Sequence, residues 1–502
     1  MEALEGAIWG PLPLLAALPL LALGLYCCYI QYVHTKYEHI PGPPRDSFLL
    51  GHLPSIWKML MKDNSILDLF WQWSEEYGPI IRVNAFHRVS VLMFSPEGVK
   101  EYLMLPEYPK DPLSYGRLFN LFGVRFLGNG LVTAQNYDHW HKQRKIMDPA
   151  FSRTFLIGLM ENFNDKAEEL MEILEEKADG ETEVDLMDLL YRVTLDIISK
   201  VAFGIETNSL HDDQVPFPHA VSMIMKGLSK TRKPFFKYLP WNRKVVKEVQ
   251  ESLRILRCTG KECIERRRKA IQDGEEIPQD ILTQILKNAE KDHDDENMLD
   301  NFVTFFFAGH ETTANQLSFT IMELGRQPEV LMRLQAELDE VIGVKRDITY
   351  EDLGKFQYLS QVLKEVLRLY PPAPGTMRWT GKEKIIEGVK IPARTTLMVS
   401  LYIMGRTEKY FKDALTFNPD RFSKEQQKPY YSYFPFSLGP RSCIGQIFAQ
   451  MEAKIVMAKF LQRFEFELAQ PQSFQILDTG TLRPLDGVIC KLKLRHQSGC
   501  ED

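Results

Sequence analysis

Between Gly6 and Thr35 the chain reads GAIWGPLPLLAALPLLALGLYCCYIQYVHT, with no aspartate, glutamate, lysine or arginine. A bilayer-crossing helix needs about 20 mostly apolar residues, so this run is long enough to span. A cleaved signal peptide would open on basic residues and carry a shorter apolar core. Here Glu2 and Glu5 come first, whereas Lys36 and Arg45 follow. The positive-inside bias then leaves the N-terminus luminal and the rest of the chain cytosolic. Pro11, Pro13 and Pro19 kink or shorten the span without abolishing it, and Cys27 and Cys28 read as apolar filler. Residues 1–36 are therefore expected to be a membrane anchor. Ile40–Pro44 (IPGPP) resists helix and strand alike, so 37–45 is expected to be a stiff hinge isolating the anchor from a body over 46–495. Residues 496–502 read as a frayed tail.

Apolar residues make up 44% and charged residues 25% of the chain, the balance of a folded globular body. A net charge of −6 gives no electrostatic footprint for nucleic acid. Seven scattered cysteines without a CxxC pair, and no Asn-x-Ser/Thr acceptor, fit a reducing compartment rather than a disulfide scaffold. Hydrophobic periodicity predicts helices over Phe163–Ala178, Val184–Ala202, Val245–Gln272, Asp300–Arg326, Glu329–Ile342, Tyr358–Leu369 and Ile447–Leu468. Val83–Phe94 reads as a strand pair and Thr380–Met398 holds a small hairpin, while Lys287–Glu296 reads as a solvated loop. The fold class expected is mainly α with small β-sheets, one large domain behind an N-terminal transmembrane helix.

Cys443 lies in FPFSLGPRSCIGQ, framed by Gly439 and Gly445 and two residues after Arg441. No disulfide partner or set of zinc ligands accompanies it, but a single thiolate can be a protein's whole covalent hold on an iron porphyrin. Gly439 permits a tight turn, and Gly445 permits backbone to approach a flat cofactor. Arg441 can neutralise a haem propionate, and Phe436 can shield the loop. Neighbouring N–H groups and the helix start at Ile444 would stabilise the thiolate.

A second constellation, AGHETTAN, sits in the Asp300–Arg326 segment. H-E-x-x-H fails as a zinc motif because Ala314 occupies the second histidine position, and His310 reads as structural. Gly309 is expected to open space along one helix face, and Thr312 to bond back to the carbonyl of Ala308. A hydroxyl beside the acid Glu311 supplies the donor and route that dioxygen protonation needs. Glu365 and Arg368 share a helix face at i,i+3. Lys142 and Lys145, beside Trp140 and Arg144, could form a basic landing site for an acidic electron donor. No Gly-rich dinucleotide or Walker loop occurs, so electrons must come from another protein.

The frames F-x-x-G-x-R-x-C-x-G (Phe436–Gly445) and A-G-x-E-T-T (Ala308–Thr313) resemble the haem-ligand and oxygen-binding signatures of the cytochrome P-450 family. The resemblance covers nearly the whole chain, through WHKQRKIMDPAFSR, DILTQILK and SQVLKEVLRLYPPA among other stretches. It implies a monooxygenase with haem b on Cys443 and with Glu311 and Thr312 delivering protons. Trp140, Arg144 and Arg378 would join Arg441 at the propionates, and Glu365, Arg368 and Arg421 would form a structural triad. Electrons would come from an NADPH-cytochrome reductase at the endoplasmic reticulum membrane, which the chain would cross once. The similarity is to members acting on a sterol such as cholesterol, whose channel positions correspond to Phe86, Tyr115, Leu118, Ala308 and Thr481. Pro374 and Met377 depart from that pattern, which has bulky aromatics there. A haem-thiolate isomerase or dehydratase, or a non-enzymatic haem or sterol binder, are the alternative readings.

Overall fold

The structure is a computed structural model describing residues 12–61, 65–212, 216–231, 235–289, 294–423 and 430–495. Its axis is one helix, Asp295–Arg326. Asp294 caps it by accepting from the N–H groups of Glu296 and Asn297, and the acidic first turn suits the positive end of the helix dipole. Nearly every side chain from Asn297 to Leu324 is buried, so the helix has neighbours on all sides. Leu186–Phe203, Gln446–Arg463, Gln357–Leu369 and Arg243–Asp273 pack around it. Bare Cα positions allow the closest approaches. A Cβ on Gly309 would stand 2.7 Å from Ile198, and one on Gly260 would stand 2.6 Å from Phe302. Phe203, Phe302 and Phe306 fill the interior with ring centroids 4.3–4.8 Å apart.

The β-structure is peripheral. Ile80–Ala85, Arg88–Met93, Thr395–Ser400 and Gly375–Thr380 form a four-stranded sheet in that spatial order, with only the middle pair parallel. Phe464–Leu468, Ile489–Leu494 and Asp179–Asp185 make a three-stranded sheet. Ile476–Asp478 with Leu482–Pro484 forms a separate hairpin. The mainly helical fold with small sheets is the one expected, although several boundaries move. The helix read from Val184 starts at Leu186, because Asp185 ends a strand and caps the helix through Met187 and Asp188 N–H. The helix read to Leu468 stops at Arg463, since FEFEL alternates and pairs with Ile489–Leu494. The Thr380–Met398 hairpin shrinks to Lys384–Ile386 with Val389–Ile391, while Thr395–Ser400 joins the main sheet. Of the expected Lys287–Glu296 loop, Lys287 and Asn288 end one helix, Asp295 and Glu296 begin another, and 290–293 lie outside the described residues, as do 1–11 and the tail 496–502.

The proline segment is no free hinge. Arg82 bonds it twice, from its backbone to Pro41 O (2.8 Å) and from Nη1 to Ile40 O (2.7 Å). His52 Nε2 lies 3.1 Å from Pro43 O. The anchor helix Leu12–Tyr37 is one continuous element, and the stretch Ala17–Tyr37 is long and apolar enough to cross a membrane. Its last turns rest on the body. Tyr26 Oη meets His87 Nδ1 at 2.9 Å, His34 Nε2 meets Phe86 O at 2.8 Å, and Tyr37 Oη meets Thr395 Oγ1 at 2.8 Å. Ile30 is completely buried there, whereas Leu18, Leu20, Leu21, Leu23 and Leu25 are exposed. Removing residues 1–25 should therefore weaken membrane attachment and leave the thermal midpoint of the body unchanged. Removing 1–38 should cost about 2 kcal/mol or more, roughly one buried Ile-sized side chain plus its hydrogen bonds, read as an earlier unfolding transition. Equal midpoints for the two truncations would show that these contacts do not stabilise the body.

Candidate active site

The loop before Gln446–Arg463 is shaped by backbone. Cys443 N–H donates to Phe436 O (2.8 Å) and Ser442 N–H to Gly439 O (3.1 Å). Gly439 has φ +68°, and a Cβ there would lie 2.1 Å from Leu103 O, so only glycine allows this loop to seat on Leu103–Met104. Cys443 is locally open to solvent yet enclosed by protein, which places it on the wall of an internal space. Burial pushes its thiol up, while the Gly445 N–H and the charge of Arg144 act in the opposite sense. A Cβ on Gly445 would meet only Cys443 Sγ, at 3.9 Å, so a flat group could lie close above this backbone. Arg144 braces the loop, donating from Nη1 to Ser442 O (2.6 Å) and from Nε to Asp148 (2.5 Å).

A cluster of cations stands nearby. Arg441 donates to Ala134 O at 2.7 Å, with its guanidinium 4.2 Å from the ring centroid of the buried Trp140. Arg378 is 1% exposed; its Nη1 bonds Thr376 Oγ1 at 2.7 Å, and its Nη2 has no partner. Lys110 Nζ reaches Tyr115 Oη (3.1 Å) and Thr376 Oγ1 (3.2 Å). Among the described residues no carboxylate pairs with Lys110, Arg378 or Arg441. Burial and the neighbouring cations bring Lys110 down to about 8 and Arg441 to about 10. Burial pushes Tyr115 up, but the charges of Lys110 and Arg378 outweigh it and hold the phenol at about 8. A fully buried Arg378 beside the half-buried Lys110 and Arg441, none with a carboxylate partner, is costly unless an anion joins them. Haem carries two carboxylates and a flat apolar body, and these residues fit both: Cys443 and Gly445 against its face, the cations at its carboxylates. Sequence reasoning missed Lys110, because nothing local distinguishes it; only the fold brings it to Arg378.

On the central helix the one open stripe between Asn297 and Leu324 is Ala308, Gly309 and Thr312. Thr312 Oγ1 donates to Ala308 O at 2.8 Å, the back-bond expected from sequence. Gly309 differs from expectation: its bare side is filled by Ile198, so it permits helix packing rather than opening space. Glu311 is 5% exposed and accepts from Thr481 Oγ1 at 2.6 Å. Burial lifts its carboxyl to about 7 against the opposing pull of Thr481 and Arg483. His310 is buried, bonded to Phe306 O at 2.8 Å, and pushed by burial down to about 4, so it is neutral.

Glu365 and Arg368, both fully buried, pair twice at 2.7 Å, and Arg421 Nε reaches Glu365 Oε1 at 3.3 Å. Arg368 also donates to Gly405 O, Ala414 O and Thr416 O, stapling its helix to the chain segment that leads toward the cysteine loop. The channel candidates divide into groups. Tyr115 sits in the cation cluster, next to Met377, whose sulfur accepts from Ser114 Oγ at 2.7 Å. Pro374 accepts through its carbonyl from Ser400 Oγ at 2.9 Å. Leu118 is half-buried against the core, Ala308 lies on the central helix, and Thr481 reaches that helix from the hairpin at Glu311. Phe86 stands at a strand turn with φ +53°, against the anchor helix.

Comparison with known proteins accords with this geometry. The family model described as Cytochrome P450 matches residues 41–490. Cytochrome P450 4V2 of Mus musculus is 31% identical over 494 residues, covering 92% of this chain and 91% of that protein. Cytochrome P450 4d2 of Drosophila melanogaster is 29% identical, covering 91% and 94%. The 11-oxo-beta-amyrin 30-oxidase of Glycyrrhiza uralensis is 31% identical, covering 79% and 77%.

The unpaired Arg378 makes a direct prediction. Arg378→Met should leave the fold intact but speed haem release to an excess of a haem-scavenging protein by about tenfold, the equivalent of one charge-assisted hydrogen bond. An unchanged release rate would remove Arg378 from the haem site.

Proposed function

The chain belongs to the cytochrome P450 family, and from that premise we propose that it hydroxylates the aliphatic side chain of a sterol, with carbon 24 of cholesterol as the favoured position. Membership makes it a haem-thiolate monooxygenase that receives electrons from a reductase. The observation that carries the reading is the opening at Ala308 and Thr312 on a helix otherwise buried, with an acid beside it whose carboxyl burial lifts to about 7. The residue-by-residue resemblance at Phe86, Tyr115, Leu118, Ala308 and Thr481 supports a sterol, and the name of one relative specifies oxidation of a triterpenoid. The proposed setting is the endoplasmic reticulum membrane, crossed once by the anchor, with NADPH as the electron source of the reductase.

When bound, haem b supplies reductive activation of dioxygen, so that RH, O₂, two electrons and two protons give ROH and water. The chain's own residues do the rest. Cys443 is the thiolate ligand, Phe436 shields its loop, and Arg144 braces the loop from behind. Lys110, Arg378 and Arg441, with Trp140 beneath Arg441, hold the propionates. Glu311, with its carboxyl near pH 7, carries an exchangeable proton at neutral pH. Thr312 is fixed by its back-bond, so its lone pairs face the notch and can accept a proton for onward transfer. Burying an elongated apolar ligand favours binding at about 25 cal/mol per Å², while few polar groups set its orientation. Pro374 and Met377 lack aromatic bulk and give the side chain more room.

With reductase, NADPH and cholesterol, the expected main product is 24-hydroxycholesterol, identified by chromatography and mass spectrometry. Oxidation confined to the rings, or no sterol turnover, would overturn the substrate reading. Cys443→Ala should abolish the thiolate-shifted absorption of the ferrous–CO adduct. Thr312→Ala should keep that absorption and lower product formed per NADPH consumed about tenfold or more. Equal coupling would remove Thr312 from proton delivery.

A further inference from the structure

Glu311 has one side-chain hydrogen-bond partner among the described residues, and it lies on another element. Thr481 Oγ1, at the tip of the hairpin joining Ile476–Asp478 to Leu482–Pro484, donates to Glu311 Oε1 at 2.6 Å. The hairpin is held independently of this bond. Leu482 N–H donates to Pro372 O (3.0 Å), Leu485 N–H to Gln475 O (2.8 Å), and Thr479 N–H to Thr481 O (3.0 Å). Arg326 lies 5.1 Å from the ring centroid of Phe474, just before the hairpin. Thr481 is thus presented by a fixed scaffold to a carboxyl that is almost wholly buried.

We propose that Thr481 is the positioning residue for the proton donor: its hydroxyl holds the Glu311 carboxyl by one oxygen and leaves the other to carry the proton. This rests on the reading of Glu311 as the proton source. Because Thr481 is only half-buried, the same residue borders the space a substrate would occupy. The hairpin that bounds the substrate therefore also sets the readiness of the acid.

The charges around the carboxyl are few. Arg483 comes from the same hairpin and favours the ionised form. Tyr191 comes from the Leu186–Phe203 helix, with its hydroxyl on Asn315 Oδ1 at 2.6 Å and its ionisation pushed up by burial. His310, on the same helix as Glu311, is neutral. The hydroxyl bond lowers the carboxyl's titration point against the raising effect of burial. Its loss therefore moves that point upward, and Glu311 stays protonated to higher pH.

The test uses the full-length, haem-loaded protein. The protonated carboxyl band in the infrared difference spectrum is assigned by its disappearance in Glu311→Gln, then followed across pH. The wild type should titrate near 7, Thr481→Val about one pH unit higher, and Thr481→Ser like the wild type. The pH profile of product per NADPH should move in the same direction. Thr481→Ala replaces the valine variant should that fail to load haem. An unmoved titration in Thr481→Val, or an equal shift in Thr481→Ser, would overturn the proposal. If Glu311→Gln couples as well as wild type, the acid reading fails instead, while the infrared midpoints still decide whether Thr481 holds the carboxyl.

Discussion

A helix buried on all sides along more than twenty residues must satisfy every polar group it carries, and this constraint organises the molecule. The central helix meets most of it internally, with the Asn315 amide nitrogen a buried exception among the described residues. Thr304, Thr312, Ser318 and Thr320 each bond back to the carbonyl four residues earlier, at 2.7–2.8 Å. The back-bond at Thr312 is therefore not distinctive by itself; its place on the open stripe is. Where a side chain cannot close on its own helix, a neighbour supplies the partner. Asp300, with no exposed side-chain surface, takes Arg125, Arg257 and the Asn129 N–H, tying the 125–129 loop and the Arg243–Asp273 helix to the axis. Glu311 takes Thr481 in the same way, but on the side where chemistry is proposed.

Two groups of buried charge show how satisfaction separates structure from ligand binding. Glu365, Arg368 and Arg421 close on one another, and backbone carbonyls accept from the remaining guanidinium N–H groups, so the one excess positive charge is solvated by dipoles. Breaking such a set by removing one member costs about 3–5 kcal/mol, because the others stay buried and unpaired. Lys110, Arg378 and Arg441 have the opposite character. They share one hydroxyl, Thr376, one phenol, Tyr115, and three backbone carbonyls, and none of these is a carboxylate. A bound dianion would relieve their mutual repulsion, so haem binding and the stability of this region are linked. The first group makes the second possible, since it fixes the segment leading to the cysteine loop.

Local motifs were legible because their chemistry is local. The turn at Gly439, the Thr312 back-bond and the Glu365–Arg368 pair each arise within a few residues, and the structure contains all three. The misread helix ends follow from the same cause in reverse. FEFEL continues a helical run by composition, and only pairing with Ile489–Leu494 makes Phe464–Leu468 a strand. The space expected at Gly309 is filled because its bare side faces Ile198, more than a hundred residues earlier. Lys110 and the Thr481–Glu311 bond were illegible for that reason too: each is an encounter between distant segments with no periodic signature.

The anchor shows how one helix answers two solvents. Among its described residues Leu18, Leu20, Leu21, Leu23 and Leu25 are exposed; from Tyr26 one face is covered by protein and buries Ile30, His34 and Tyr37. A membrane core about 30 Å thick takes about 20 helical residues at 1.5 Å each. The stretch Ala17–Tyr37 meets that length, and its last turns pack on the body. The covered turns end on Phe86 and His87, at the tip of the first strand pair. The strand turn bearing Phe86 is thereby held next to the point where this helix leaves the body.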